Sequence, residues 1–196
     1  MAAKPKRAAP RQKDPKRALL AAATRLFARR GFSGVSVRDI ALAAKVNHGL
    51  VHRHFGSKEG LLRAVMQHQA DTLAQAAGQG IARGAAHGSL TEAVFAAAVQ
   101  GDAYWRILAR QLLDGADPRE LQSDFPTLRR IIEHRVAGGQ KRNEAALDVV
   151  VLAAAGLGFL VFEPFLRAAA GFEKQPRSML PRAFARRLGA LAERRA

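Results

Sequence analysis

An uncharged run of 14 residues, Val149 to Phe162, constrains this chain more than any other feature. It reads VVVLAAAGLGFLVF between Asp148 and Glu163. A helix that crosses a bilayer needs about 20 apolar residues, so the run fits a buried core or interface helix better than a membrane span. A helix that is apolar nearly all round needs cover on every side. In a chain of 196 residues the expected supplier of that cover is a second copy of the chain. The run sits in a helix predicted from about Asn143 toward Ala170, with Pro164 removing the hydrogen bond back to Leu160 or kinking the axis. A last helix, about Ser178 to Arg194, gathers Leu180, Phe184, Leu188 and Leu191 on one side. Val151, Leu152, Phe159, Phe184, Leu188 and Leu191 are therefore the expected dimer face.

No useful length of the chain alternates with period two, and apolar residues recur at helical spacing throughout. The expected fold class is all-α, with about nine helices. Asp14-Pro15 starts the first helix, an N-cap acceptor followed by proline where its missing N–H costs nothing. Gly31 ends it, which lets Phe32 pack back on Phe27. Ser36-Val-Arg-Asp39 is a capping box with aspartate in the place of Glu or Gln, opening a short helix lined by Val37, Ile40, Ala41 and Ala44. After a break at Lys45-Val46, Asn47 caps a third helix to about Phe55. On a helical wheel Val51 and Phe55 face inward, while Gly49, Leu50, His52 and Arg53 face outward. Ser57 caps a fourth helix to about Ala77. The Gly- and Ala-rich segment 78–88 is expected to be a loop, and Ser89 with Glu92 to cap the next helix. Tyr104, Trp105, Ile107, Leu108 and Leu112, then Leu128, Ile131, Ile132 and Val136, mark two more helical faces.

Charge is unevenly placed. Of a net +16, the residues through Arg63 carry +12, from 15 Lys and Arg against 3 Asp and Glu. A basic head on a nearly balanced body places the polyanion contact in the head. Two short helices at a tight turn with a polar, basic outer face, Ser36 to Lys58, are how a helix-turn-helix presents itself to DNA. The absence of cysteine excludes disulfides, thiolate metal sites and a cysteine nucleophile. The charged start has no apolar segment of a secretory signal, so a cytoplasmic protein with no membrane partner is expected.

Ile40-Ala41, Ala44, Val46, Gly49, Val51, His54-Phe55 and Ser57-Lys58-Glu59 resemble the signature of the TetR family of transcriptional regulators. The resemblance implies a DNA-binding domain of three helices and a C-terminal body that binds a small ligand and dimerises through its last two helices. On this reading residues 1–13 are a disordered basic arm, 14–56 the DNA-binding domain and 57–196 the regulatory and dimerisation domain. Three positions depart from the family. Lys45 stands where glycine is usual in the turn, His52 where tyrosine is usual on the recognition helix, and Gly60 where Glu often completes the Ser57 capping box.

The resemblance and the wheel together make Arg38, His48, Gly49, Leu50 and Arg53 candidates for base edges, and Ser36, Lys45, His52 and Lys58 candidates for phosphates. Lys4, Lys6, Arg7, Arg11 and Lys13 in the arm are placed to follow phosphates or a minor groove. The expected partners are a palindromic duplex operator, a second copy of the chain and an apolar or aromatic small molecule. For the last, Met66, Gln69, Phe95, Tyr104, Trp105, Phe125, Phe159 and Phe162 are the candidate pocket. His48 and His52 are four residues apart, but with no carboxylate or third ligand on that face no metal is expected, and no cofactor. No Ser/His/Asp order in a recognisable frame, no phosphate loop and no paired carboxylates in a shared context argue for an enzyme. The rival reading is a sequence-blind architectural DNA- or RNA-binding protein, since a net +16 gives polyanion affinity unaided.

Overall fold

A computed structural model of the chain describes residues 14–193. Among them are ten helices and no strand. They are α1 (Pro15–Arg30), α2 (Val37–Ala44), α3 (Gly49–Phe55), α4 (Lys58–Ala82), α5 (His87–Val99), α6 (Asp102–Leu113), α7 (Pro118–Leu121), α8 (Pro126–Ala137), α9 (Arg142–Ala169) and α10 (Met179–Glu193). The arm lysines and arginines Lys4, Lys6, Arg7, Arg11 and Lys13 lie outside the described residues. The helix beyond the expected nine is α7, a single turn whose start is held by Asp117 Oδ1 accepting from the Arg119 N–H at 2.7 Å.

The short-range signals at the head are realised atom by atom. Asp14 Oδ1 accepts from the Lys16 N–H at 3.0 Å, and Gly31 takes φ 75° so that Phe32 reaches Phe27 with ring centroids 5.5 Å apart. At the start of α2 the Asp39 N–H donates to Ser36 Oγ, while the Ser36 N–H and Oγ–H both donate to Asp39 Oδ2. Those bonds, the backbone one first, and then the Arg30 guanidinium hold the Asp39 carboxyl below its usual range. A lowered native pKa stabilises the fold above the unfolded value, so this cap acts at neutral pH and fades as acid protonates Asp39.

Two expectations in the body are corrected. Helix α4 does not stop near Ala77 but continues through Gly78 and Gly80 to Ala82. The glycines lower helix propensity, yet they are where other helices come close. A Cβ on Gly78 would lie 2.6 Å from Arg130 Nη1, and one on Gly80 2.8 Å from Leu90 Cδ1. Nor does Ser89 cap α5, which already begins at His87. The Gly88 N–H there donates to the Glu193 carboxylate from α10, so a distant side chain replaces the local cap.

One apolar core runs through α1, α2, α3, α4 and α6, with Leu19, Phe27, Ile40, Val51, Leu61 and Met66 buried in it. Trp105 and Ile107 of α6 belong to the same cluster, so the head and the upper body share it. A second cluster joins α5, α9 and α10. Phe159 stacks on Phe184 at 4.4 Å between centroids, and Phe95 lies 5.1 Å from Phe184.

The expected dimer face is therefore corrected in part. Phe159 and Leu188 are buried within the chain, and Leu152 and Phe184 are half-buried against this second cluster. Val151 and Leu191 remain, 53% and 52% exposed. The open apolar stripe is the outer side of α9, where Leu147, Val150, Val151, Phe162 and Phe165 are exposed. At 28 residues α9 is also longer than the uncharged run alone, long and apolar enough by composition to cross a bilayer, with its inner side packed inside the fold.

Arg135 of α8 ties the far end of the body together. It is 1% exposed, donates through Nη2 to the Ala192 carbonyl at 3.2 Å and through Nη1 to Gln140 Oε1 at 3.2 Å, and lies 3.7 Å from Asp148 Oδ2. Gln140 Nε2 donates to the same carboxylate oxygen at 2.7 Å. Removing one partner of a buried charge pair strands the other. Asp148→Ala is expected to lower stability by about 3–5 kcal/mol in chemical denaturation; a loss below about 1 kcal/mol, the range of exposed ion pairs, would contradict this role.

Candidate nucleic-acid interface and internal cavity

The turn between α2 and α3 keeps its tight form with a lysine in it. Lys45 has φ 58° and ψ 44°, the left-handed conformation, and is the non-glycine residue with positive φ among the described ones. That conformation costs a side-chain-bearing residue about 1–2 kcal/mol. It lets the Lys45 N–H donate to Leu42 O at 3.1 Å and the Val46 N–H to Ala41 O at 3.0 Å, closing α2. Asn47 acts two residues on, its Oδ1 accepting from the Gly49 N–H at 2.8 Å. Helix α3 thus begins at Gly49, with His48 rather than Asn47 at the capping position.

Val51 is fully buried and fixes the roll of α3 against the head core. His48, Gly49, His52 and Arg53 are exposed on its outer side, and Arg38 is exposed in the first turn of α2. Leu50 is corrected: it is half-buried and packs against the core, so it is not a free outward group. Ser36 is exposed, but its hydroxyl is engaged in the capping box. Lys58 is corrected too. Its Nζ donates to the Phe32 and Val35 carbonyls at 3.1 and 3.0 Å and sits 4.1 Å from the Phe32 ring centroid. The lysine expected on a phosphate instead pins the start of α4 to the loop between α1 and α2. Gly60 has a structural reason as well, since a Cβ there would lie 2.0 Å from the Phe55 carbonyl oxygen. Ser57 Oγ still accepts from the Gly60 N–H at 3.1 Å.

His52 has a defined tautomer. Its Nδ1 lies 3.0 Å from the Gly56 carbonyl, which can only accept, so Nδ1 carries the proton. The neutral ring therefore offers Nε2 outward as an acceptor. Donation from Nε2 to a phosphate requires the second proton, so the histidine does not simply replace the family tyrosine as a neutral donor.

In the body, a cavity of about 290 Å³ lies among α4, α5, α6, α8 and α9. Of the expected pocket residues, Phe95, Tyr104, Trp105 and Phe125 line it. The others do not. Met66 is fully buried in the head core, Phe159 is packed in the aromatic cluster, Phe162 is 58% exposed, and Gln69 lies against Gly101. Sequence reading also missed Gln122 and Leu157 in the lining and Arg110 of α6, whose Nη1 donates to the Ala28 carbonyl near the end of α1 at 3.4 Å. Only the pairing of α6 with α1 in space gives Arg110 that partner.

The model of bacterial regulatory proteins of the tetR family matches residues 19–65. The HTH-type transcriptional repressor Rv3405c of Mycobacterium tuberculosis and the HTH-type transcriptional regulator Mb3439c of Mycobacterium bovis are each 37% identical over 157 residues, 80% of this chain and 78% of theirs. The chain belongs to the TetR family. This TetR-family protein is a helix-turn-helix transcriptional regulator, and regulators of the family bind DNA and act as dimers. Its fold is shared with a TetR-like regulator from Rhodococcus sp. RHA1, with TM-score 0.66, 22% identity, and 95% and 97% of the two chains covered. A similar match is the TetR-family regulator PfmR of Thermus thermophilus, with TM-score 0.64, 19% identity, and 90% and 97% covered.

Within this TetR-family head, Arg38→Ala is expected to cost about 1–3 kcal/mol in binding a cognate operator, with random-duplex binding little changed. Equal losses on both would make Arg38 a phosphate contact. His52→Gln is also expected to weaken binding to a cognate operator and to random duplex alike, since a phosphate contact carries no sequence information. Unchanged binding to both duplexes would remove His52 from the phosphate contacts.

Proposed function

We propose that this protein is a dimeric repressor that binds a palindromic operator and releases it when a small molecule occupies the body cavity. The observation that carries the reading is the exposed face of α3, with His48, Gly49 and Arg53 beside Arg38 of α2, on a head of strongly positive charge. These four residues read base edges, with Gly49 allowing close backbone approach. Lys45 and His52 position the module on phosphates, while the Ser36 donors stay in the capping box. The chain acts in the cytoplasm, where its DNA is.

The open stripe of α9, from Leu147 to Phe165, supports the dimer, because a second copy covers it. A two-fold dimer presents its recognition helices about 34–36 Å apart, one turn of duplex. Repression is favoured by the mycobacterial relative named a repressor.

The cavity is linked to the head by two helices. Helix α4 begins at the Lys58 clamp and passes Ala70 and Leu73 along the cavity wall. Helix α6 lines the cavity with Tyr104, Trp105, Leu108 and Leu112 and reaches α1 through Arg110. A ligand that favours one packing of these helices biases the separation of the two heads and so the fit to the operator.

The test is a footprint on DNA flanking the gene for this protein, followed by competition at controlled salt. A regulator should prefer its palindrome over random duplex by on the order of 10³ or more. Equal affinity for both would establish the sequence-blind reading instead.

A further inference from the structure

We infer that the body cavity takes an electrically neutral, ring-bearing molecule with one hydroxyl or carbonyl group, which hydrogen-bonds to the Tyr104–Gln122 pair. This inference rests on reading the cavity as an effector site and adds the chemical class of the effector.

No Lys, Arg, His, Asp or Glu is among the residues that line the cavity. A carboxylate, phosphate or ammonium would lose its water there and meet no opposite charge, which selects against all three. Two of the polar side chains on the wall have their protons engaged. The Trp105 Nε1–H donates to the Ala98 carbonyl at 2.8 Å, and the Thr91 hydroxyl to the His87 carbonyl at 2.8 Å.

The Tyr104–Gln122 pair is different. Tyr104 Oη donates to Gln122 Oε1 at 3.2 Å, long for a hydroxyl hydrogen bond, and Gln122 Nε2 donates to the Asp124 carbonyl at 2.6 Å. Both residues line the cavity, and both oxygens keep free lone pairs. A ligand hydroxyl can donate to either oxygen, or insert between them by accepting from Tyr104 and donating to Gln122. A ligand carbonyl can accept from Tyr104 once the long bond opens. Burial pushes the Tyr104 phenol up to about 12, so it remains a neutral donor at any physiological pH.

The remaining wall is apolar and partly aromatic, which suits a ring. It is not a cage for a cation. Phe95 is packed by Phe159 and Phe184, and Tyr104 and Trp105 meet edge to face at 4.5 Å, so their rings are engaged with one another. Phe125, Leu112 and Leu157 line the cavity while remaining 43%, 42% and 37% exposed, and form its open side.

The test uses the full-length protein and four probes of similar size: 2-naphthylmethanol, 2-ethylnaphthalene, 2-naphthoate and 2-naphthylmethylammonium. Calorimetry should give binding of the alcohol about tenfold tighter than the hydrocarbon, the effect of one hydrogen bond, with both ions weaker than either. In Tyr104→Phe, and separately in Gln122→Met, the ratio of alcohol to hydrocarbon affinity should fall toward one. An ion that binds as tightly as the alcohol, a ratio unchanged in both variants, or no binding by any probe overturns the inference. Tight binding of the alcohol without release of operator DNA leaves the ligand class standing and overturns the control reading of the cavity.

Discussion

Helix α4 has to satisfy two structures at once, and the arrangement of the other helices follows from that. Its first turns put Leu61, Leu62, Val65 and Met66 into the head core, and its later turns set Ala70 and Leu73 on the cavity wall. Because Trp105 and Ile107 of α6 join the same cluster as Phe27 and Val51, apolar packing is continuous from the DNA-facing end into the body. Interiors packed to crystal-like density do not deform smoothly. A displacement of the cavity wall is therefore borne by whole helices, α4 and α6.

Local chemistry was readable where the partner lies within a few residues. The Ser36–Asp39 capping box, the Asp14 cap, the Gly31 stop with its Phe27–Phe32 contact and the inward setting of Val51 all rest on backbone geometry and spacing. Lys45 belongs to the same class, since a turn of that length admits few conformations. The helix-turn-helix was legible for the same reason.

What escaped the sequence depends on residues far apart in the chain. The glycines in α4 look like loop punctuation until Arg130 and Leu90 arrive beside them. Ser89 has the right spacing for a cap, but Glu193 does that work from the other end of the body. The outer side of α9 and its inner side are equally apolar, so periodicity alone could not tell Val151 from Phe159 as an interface residue. Cavity lining had the same difficulty: Met66 and Phe95 are alike as buried apolar residues, and only the packing of α5 against α9 and α10 separates them.

The Lys58 clamp has a consequence for what evolution can adjust in this chain. An ammonium held by the Phe32 and Val35 carbonyls fastens the first turn of α4 to the loop that precedes α2. Helices α1, α2 and α3 and the base of α4 then form one rigid tool on a handle. Exposed side chains on the tool's face can be exchanged without touching this joint, and so can side chains at the far end of the handle. Neither change disturbs the joint, so the two can drift independently.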